Sequence, residues 1–254
     1  MNRVAFHVHS TWSYDGTWTL EQIARGFARR RYGVVLLAEH DRGFDEDRWR
    51  AYRRACAAAS TDRVLLVPGI EYSDRTNAVH VTVWGSERFL GEAVETGELL
   101  RRTAAAGAVA VLAHPDRRGV GARVPDEWLD ALTGVEVWNR KYDGLAPGRT
   151  AAQLLARRPG LAVLAGLDFH APRQFFPLCL TLEGPRDLDL DGVMEALADE
   201  RFSARALGLP VARVTCQPVV GILRAVEAVR RGALASLRAR RRVRCAFVQH
   251  WRRS

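Results

Sequence analysis

The chain has 254 residues, 48% hydrophobic and 26% charged, enough for one sizeable domain or two small ones with a buried core. This composition excludes intrinsic disorder, collagen and a disulfide scaffold, and no apolar run reaches the ~18 to 20 residues of a bilayer span. Basic residues exceed acidic ones by 38 to 29, yet nine arginines and no acid follow Glu227 and carry the whole excess, so the main body offers no charge argument for nucleic-acid binding.

Two histidines occur within the first ten residues, before any signal-peptide core forms, so the expectation is a soluble, cytoplasmic protein. Cys56, Cys179, Cys216 and Cys245 are scattered without C-x-x-C spacing and read as reduced bystanders.

Short β-branched runs alternate with longer amphipathic stretches along the chain, the rhythm of βα units around a parallel sheet. Residues 4–8, 34–38, 64–69, 109–113, 134–138, 161–165 and 176–182 read as seven strands. The run 78–84 follows the third too closely for a helical crossover and reads as an additional strand or hairpin arm. Helices are expected over 20–31, 45–60, 91–106, 125–132, 148–157 and 191–199, with Thr19 and Pro125 as helix starts. Seven units predict a barrel one strand short of the usual eight, with an open doubly wound sheet as the alternative. The expected division is a catalytic barrel over 1–202 and a helical extension with an Arg-rich tail over 203–254, where Val219, Leu223, Val226 and Val229 mark a basic amphipathic helix.

Six of the seven histidines, with several acids, fall at the strand end where a parallel barrel gathers its loops. His7 and His9 close the first strand in F-H-V-H-S, two residues apart, which turns both side chains to one face where they can hold a cation. Asp15 follows in S-Y-D-G, His40 ends the second strand in A-E-H-D, and Glu71 the third in P-G-I-E-Y. His80 opens the additional run, His114 ends the fourth strand in A-H-P-D, Glu136 and Asn139 end the fifth, and Asp168 with His170 end the sixth in G-L-D-F-H. A lone histidine at a strand end is usually a hydrogen-bonded structural residue; so many on one rim are hard to ascribe to accident, because cations remove the cost of crowding them.

These ordered motifs resemble the PHP domain, named for polymerase and histidinol phosphatase, from about Val4 to His170. The resemblance implies a distorted α/β barrel of seven βα units, (β/α)7, with its site at the C-terminal strand ends. It also implies that His7, His9, Glu71 and Asp168 hold one metal, that Glu71 bridges to a second held by His80 and His114, and that Asp15, His40 and His170 hold a third. Two positions depart from the family's pattern: Ala5 stands where an acid commonly precedes the first motif, and Ala38-Glu39 replaces the usual Thr-Asp. Three carboxylates against three divalent cations leave a positive surplus, which an anion such as phosphate would balance. The expected activity is therefore hydrolysis of a phosphomonoester of a small metabolite or nucleotide by a metal-bridging hydroxide. Manganese, zinc and iron all suit such mixed nitrogen and oxygen ligands.

Glu39 is the candidate proton donor to the leaving group, and Arg140 and Arg173 are the favoured phosphate clamps among the arginines that follow the strand ends. Trp12, Tyr72 and Trp138 are candidate pocket walls, with packing the stronger reading, and Glu136 and Asn139 are candidate partners of the ligands. The basic tail reads as a solvated helix, an anionic-lipid anchor, or an arm that feeds nucleic acid to the site. The rival activities are a nuclease on single strands guided by that tail, an inert metal-binding module, and a metal-dependent amidohydrolase. Oligomeric state is left open.

Overall fold

The computed structural model describes residues 2–183, 189–211 and 217–251, excluding the side chains of 217 and 237–251. In chain order its elements are β1 (Asn2–Val8), α1 (Leu20–Ala28), β2 (Val34–Leu37), β3 (Glu39–His40), α2 (Glu46–Ala59), β4 (Leu65–Val67), β5 (Gly69–Ser73), β6 (His80–Trp84) and α3 (Thr96–Ala105). They continue with β7 (Val109–Leu112), α4 (Asp126–Ala131), β8 (Gly134–Asn139), α5 (Thr150–Arg157), β9 (Ala162–Gly166), β10 (Leu178–Leu182), α6 (Leu190–Ala198), β11 (Phe202–Ala206), β12 (Leu209–Pro210) and α7 (Gln217–Trp251). Local chemistry sets the helix starts. Thr19 caps α1 in a reciprocal capping box with Gln22, and the Asp45 carboxylate caps α2 by accepting from Arg48 N.

The strands form two six-stranded sheets, in the orders β12-β11-β10-β1-β2-β4 and β3-β5-β6-β7-β8-β9. Strands β2 and β7 are buried along their whole length, as their unbroken apolar runs require. The chain passes from one sheet to the other twice with a single intervening residue, Ala38 between β2 and β3 and Pro68 between β4 and β5. At the far edge, the end of β1 meets the segment after β9: Leu167 N donates to Phe6 O at 3.0 Å, Phe169 N to His7 O at 3.0 Å, and His9 N to Phe169 O at 2.8 Å.

One strand direction is that of the hairpin arm expected over 78–84, and another corrects the expectation of a parallel strand. β6 pairs antiparallel with both β5 and β7, because the six residues between β5 and β6 are too few for a crossover. β10, expected as the seventh parallel strand, runs antiparallel to β1. The reversed β6 places its first residue, His80, beside the last residues of β5 and β7. Between the sheets and helices lies a contiguous apolar core that includes Phe6, Phe27, Trp84, Trp138 and Phe169. The Trp84 indole N–H is satisfied by Leu37 O at 2.7 Å.

Candidate metal centre

The sequence-predicted ligands converge. His7 arrives on β1 and His9 just after it, His40 on β3, Glu71 on β5, His80 on β6, His114 after β7, and Asp168 with His170 after β9. Asp15 comes from the loop between β1 and α1. Their donor atoms fall into four overlapping groups, each within 4.8 Å: His9 with Asp15, His40 and His170; His7 with His114 and Asp168; His7 with His9 and Glu71; and Glu71 with His80 and His114. Glu71 is the hub. Its Oε1 lies 2.7 Å from His80 Nδ1 and 2.8 Å from His114 Nε2, while its Oε2 lies 3.1 Å from His40 Nδ1 and 3.5 Å from His9 Nε2.

The backbone bends unusually to make this convergence. His7, His114 and Asp168 all take positive φ, at 62°, 29° and 45°, a region that non-glycine residues seldom occupy and that costs about 1–3 kcal/mol each. His7 also sits where the β1–β2 register shifts, so the bulge re-aims it toward the interior.

Around these candidate ligands lie groups that hold them. Glu136 Oε2 accepts from His114 N at 2.9 Å and from Asn139 Nδ2 at 2.9 Å, and it lies 3.4 Å from His7 Nδ1. A second register shift, in β8 between Glu136 and Trp138, lets Glu136 and Asn139 share the interior face, and Asn139 also reaches Asp168 Oδ2 at 3.3 Å. Gly166 makes room for this, since a Cβ there would collide with the Glu136 carboxylate. Glu136 and Asn139 thus stand against the ligands, as the sequence suggested.

Glu39 has a different place from the one expected. It is fully buried, and its carboxylate accepts from Ser10 N at 3.0 Å, Ser10 Oγ at 2.6 Å and Ser13 Oγ at 2.5 Å, with Tyr52 Oη at 3.4 Å. With its oxygens engaged away from the opening, it ties down the loop that delivers Asp15 and is poorly placed to protonate a leaving group. The expected clamps also lie elsewhere. Arg140 stacks over Phe176 at 4.9 Å, and Arg173 is exposed with no contact to the ligands among the described residues. Two cations do reach the cluster: Arg117, whose Nη1 lies 3.0 Å from His80 Nε2, and Lys141, whose Nζ lies 3.3 Å from Asp168 Oδ1 and 3.2 Å from His170 Nε2. Sequence reasoning passed over Lys141 in favour of its neighbour, although it is the chain's single lysine. Trp138 and Tyr72 are buried in the core, and the half-buried Trp12 packs against it. Two rings lie against the site: Tyr14 stacks 4.9 Å from His40, and Tyr142 sits tilted 4.6 Å from His114.

The charges show what the cluster lacks. Burial penalises the His7 imidazolium, but Glu136, Asp168 and Glu71 outweigh it and hold its pKa well above the ordinary histidine value. Burial likewise opposes charge on His40, yet Asp15 and Glu71 lift it to about 10. His9, buried and facing His170 and His40, is pushed well below the ordinary value. Burial would raise Glu71, but His80 and His7 bring it well below the usual carboxylate range. The cluster therefore attracts positive charge strongly. Among the described residues, buried donor atoms on His7, His9, Asp15, His40 and Glu71 have no hydrogen-bond partner, although several stand 3.1–3.6 Å from an opposite charge without hydrogen-bond alignment. Buried polar atoms left unpaired around a shared interior point are what divalent cations would satisfy, and the nitrogen and oxygen donor set fits them.

No family model matches the chain, and no curated protein matches it in sequence. Solved structures do match. A two-domain protein from Bacteroides vulgatus ATCC 8482, described as containing a PHP-like metal-dependent phosphoesterase, superposes with a TM-score of 0.62 at 20% identity. The match covers 81% of this chain and 64% of that one, so this chain spans less than two-thirds of its length. The chain shares the PHP-like fold. A protein from Bifidobacterium adolescentis ATCC 15703, described as a metal-dependent phosphoesterase, matches with a TM-score of 0.51 at 19% identity over 76% of this chain and 95% of that one. The lesion-specific endonuclease EndoQ from Pyrococcus furiosus matches with a TM-score of 0.53 at 12% identity, over 78% of this chain and 56% of that one. Among the described residues, no helix is long and apolar enough to cross a membrane.

Proposed function

We propose that the chain is a metal-dependent phosphoesterase that hydrolyses a phosphomonoester of a small metabolite or nucleotide. The observation that carries this reading is the convergence of nine side chains, with buried donor atoms on five of them, His7, His9, Asp15, His40 and Glu71, left without a hydrogen-bond partner among the described residues. His7, His9, Glu71 and Asp168 would hold one ion, Glu71 with His80 and His114 a second, and Asp15, His40 and His170 a third; manganese, zinc and iron are the candidates. Bound divalent cations supply Lewis acidity toward a phosphoryl oxygen and lower the pKa of water.

The chain's own groups do the rest in this proposal. Glu136 and Asn139 fix the orientation of His7, His114 and Asp168, which matters because ligands off their bearing lose metal affinity. Lys141 takes the anion-binding part first expected of Arg140 and Arg173: its ammonium, held above its ordinary pKa by Asp168 against the pull of burial, can meet a phosphoryl oxygen. Tyr14 and Tyr142 would border the substrate. The two sheets are proposed to be one seven-stranded barrel made of β1, β2–β3, β4–β5, β6, β7, β8 and β9, supported by the single-residue links at Ala38 and Pro68 and by the β1–Phe169 hydrogen bonds. Residues 1–202 are proposed as the catalytic unit and 203–254 as an extension, laced on by β11 pairing with β10. A cytoplasmic location belongs to the same proposal, in keeping with the buried, unbridged Cys56 and Cys179.

Hydrolysis of an aryl phosphate and a panel of phosphorylated metabolites, with manganese or zinc supplied, tests the reading. Activity lost in folded His9→Ala and Asp168→Ala proteins supports it, while full activity in both, or none in the parent, counts against it. A nuclease is the second reading, favoured by the fold shared with EndoQ. Cleavage of single strands that exceeds phosphomonoester hydrolysis and collapses with added salt would select it.

A further inference from the structure

The C-terminal helix α7 has two unlike sides. One is packed: Val220 is buried, and the Glu227 carboxylate accepts from Leu145 N at 3.1 Å while pairing with Arg230 and Arg231. Arg231 in turn donates to Tyr142 O at 2.9 Å. Gly144, at φ +78°, is needed here, because a Cβ would strike the Glu227 carboxylate. These contacts fix the first half of the helix against the 142–145 loop.

The other side is apolar and uncovered. Ile222, Val226 and Val229 are 65%, 49% and 74% exposed, and their i, i+4, i+7 spacing puts them on one face. After Glu227 the helix carries only basic charge, and its 35 residues extend about 52 Å. A partner for this face must accept aliphatic side chains and supply negative charge together. A second copy would oppose arginines to arginines. A nucleic acid would neutralise the arginines but leave the aliphatic face in water.

We infer that α7 is a docking surface for an anionic lipid bilayer, lying in the interface with Ile222, Val226 and Val229 entering the headgroup boundary and the arginines meeting lipid phosphates. A helix with a charged face, a separate apolar face and low overall hydropathy binds membranes in this way, and arginine's long stem lets its head stay at the headgroups. The attachment is independent of the reaction proposed above.

Flotation of the full chain with vesicles tests it. Vesicles of phosphatidylcholine containing about one-third phosphatidylserine should capture the protein, and pure phosphatidylcholine should capture at least about tenfold less. The triple variant Ile222→Ser, Val226→Ser, Val229→Ser changes no charge and replaces exposed side chains, so its melting temperature should match the parent while binding falls about tenfold or more. A second variant, Arg238→Gln with Arg241→Gln and Arg242→Gln, should weaken capture comparably through charge alone. Unchanged binding in the serine variant overturns the inference. So does tighter binding to single-stranded DNA than to the anionic vesicles, or a dimer in light scattering that the serine variant abolishes, since these would assign the face to a nucleic acid or a second copy.

Discussion

The two halves of the candidate centre are built differently. The inner half, His7, Glu71, His114 and Asp168, is sealed by strands, with Glu71 1% exposed and three of the four residues in a strained positive-φ backbone. The outer half, Asp15, His40 and His170, sits at the opening, where the Asp15 side chain is 34% exposed and its position depends on a loop tethered to Glu39. The inner half is rigid because the sheets over-determine it; the outer half is only as rigid as one buried carboxylate makes it. An ion held by the inner group should therefore be retained more firmly than one held by the outer group.

The largest effect is expected from removing the inner hub. Glu71→Gln should cut phosphoesterase turnover by roughly a thousandfold or more, about 4 kcal/mol at the barrier, with circular dichroism unchanged; activity within threefold of the parent would remove the distinction between the halves. Next in size is the tether. Glu39→Gln leaves Ser10 and Ser13 donors imperfectly paired, which should cost about 1–3 kcal/mol of stability in thermal melts and about 10- to 100-fold in activity. If Glu39 were instead the proton donor, this variant would retain stability and lose the alkaline limb of its pH–rate profile. Smaller again is Lys141→Met, for which steady-state kinetics should show KM raised about tenfold, with Lys141→Arg recovering part of the loss. An unchanged KM would leave that ammonium without a substrate role.

The smallest effect is on stability and pH. Burial, with the nearby charges of Asp116 and Glu136, lifts the Asp143 carboxyl to about 8. Between about pH 4 and 8 the folded chain keeps this proton while the unfolded chain has released it, so stability declines as pH rises through that window. Asp143→Asn should flatten the decline and raise the melting temperature at pH 8 but not at pH 4, as differential scanning fluorimetry would show.

Much of this centre can be read from the chain because its residues sit at the ends of apolar runs, where the strand period dictates which way a side chain points. His40, Glu71, His114 and Asp168 are found that way, and H-x-H needs only two-residue alternation. What escaped depends on long-range geometry. The shift in β8 that turns both Glu136 and Asn139 inward has no local sign, and beyond it nothing in the sequence says that Lys141, not Arg140, faces the ligands. Glu39 looked like an available acid because it stands beside His40, yet alternation sends neighbours to opposite faces and buries it under the Ser10–Ser13 loop. Strands β11 and β12 were missed because Ser203 and Arg205 break up the apolar pattern, although Leu207 and Gly208, both at positive φ, make the two-residue hairpin turn between them.

Elemental analysis of the protein after equilibration with manganese or zinc and gel filtration tests the central claim most directly. The account predicts about three ions per parent chain, about one fewer in Asp15→Asn, and a larger loss in Glu71→Gln. A folded parent chain that emerges free of metal, indistinguishable from both variants, would contradict it.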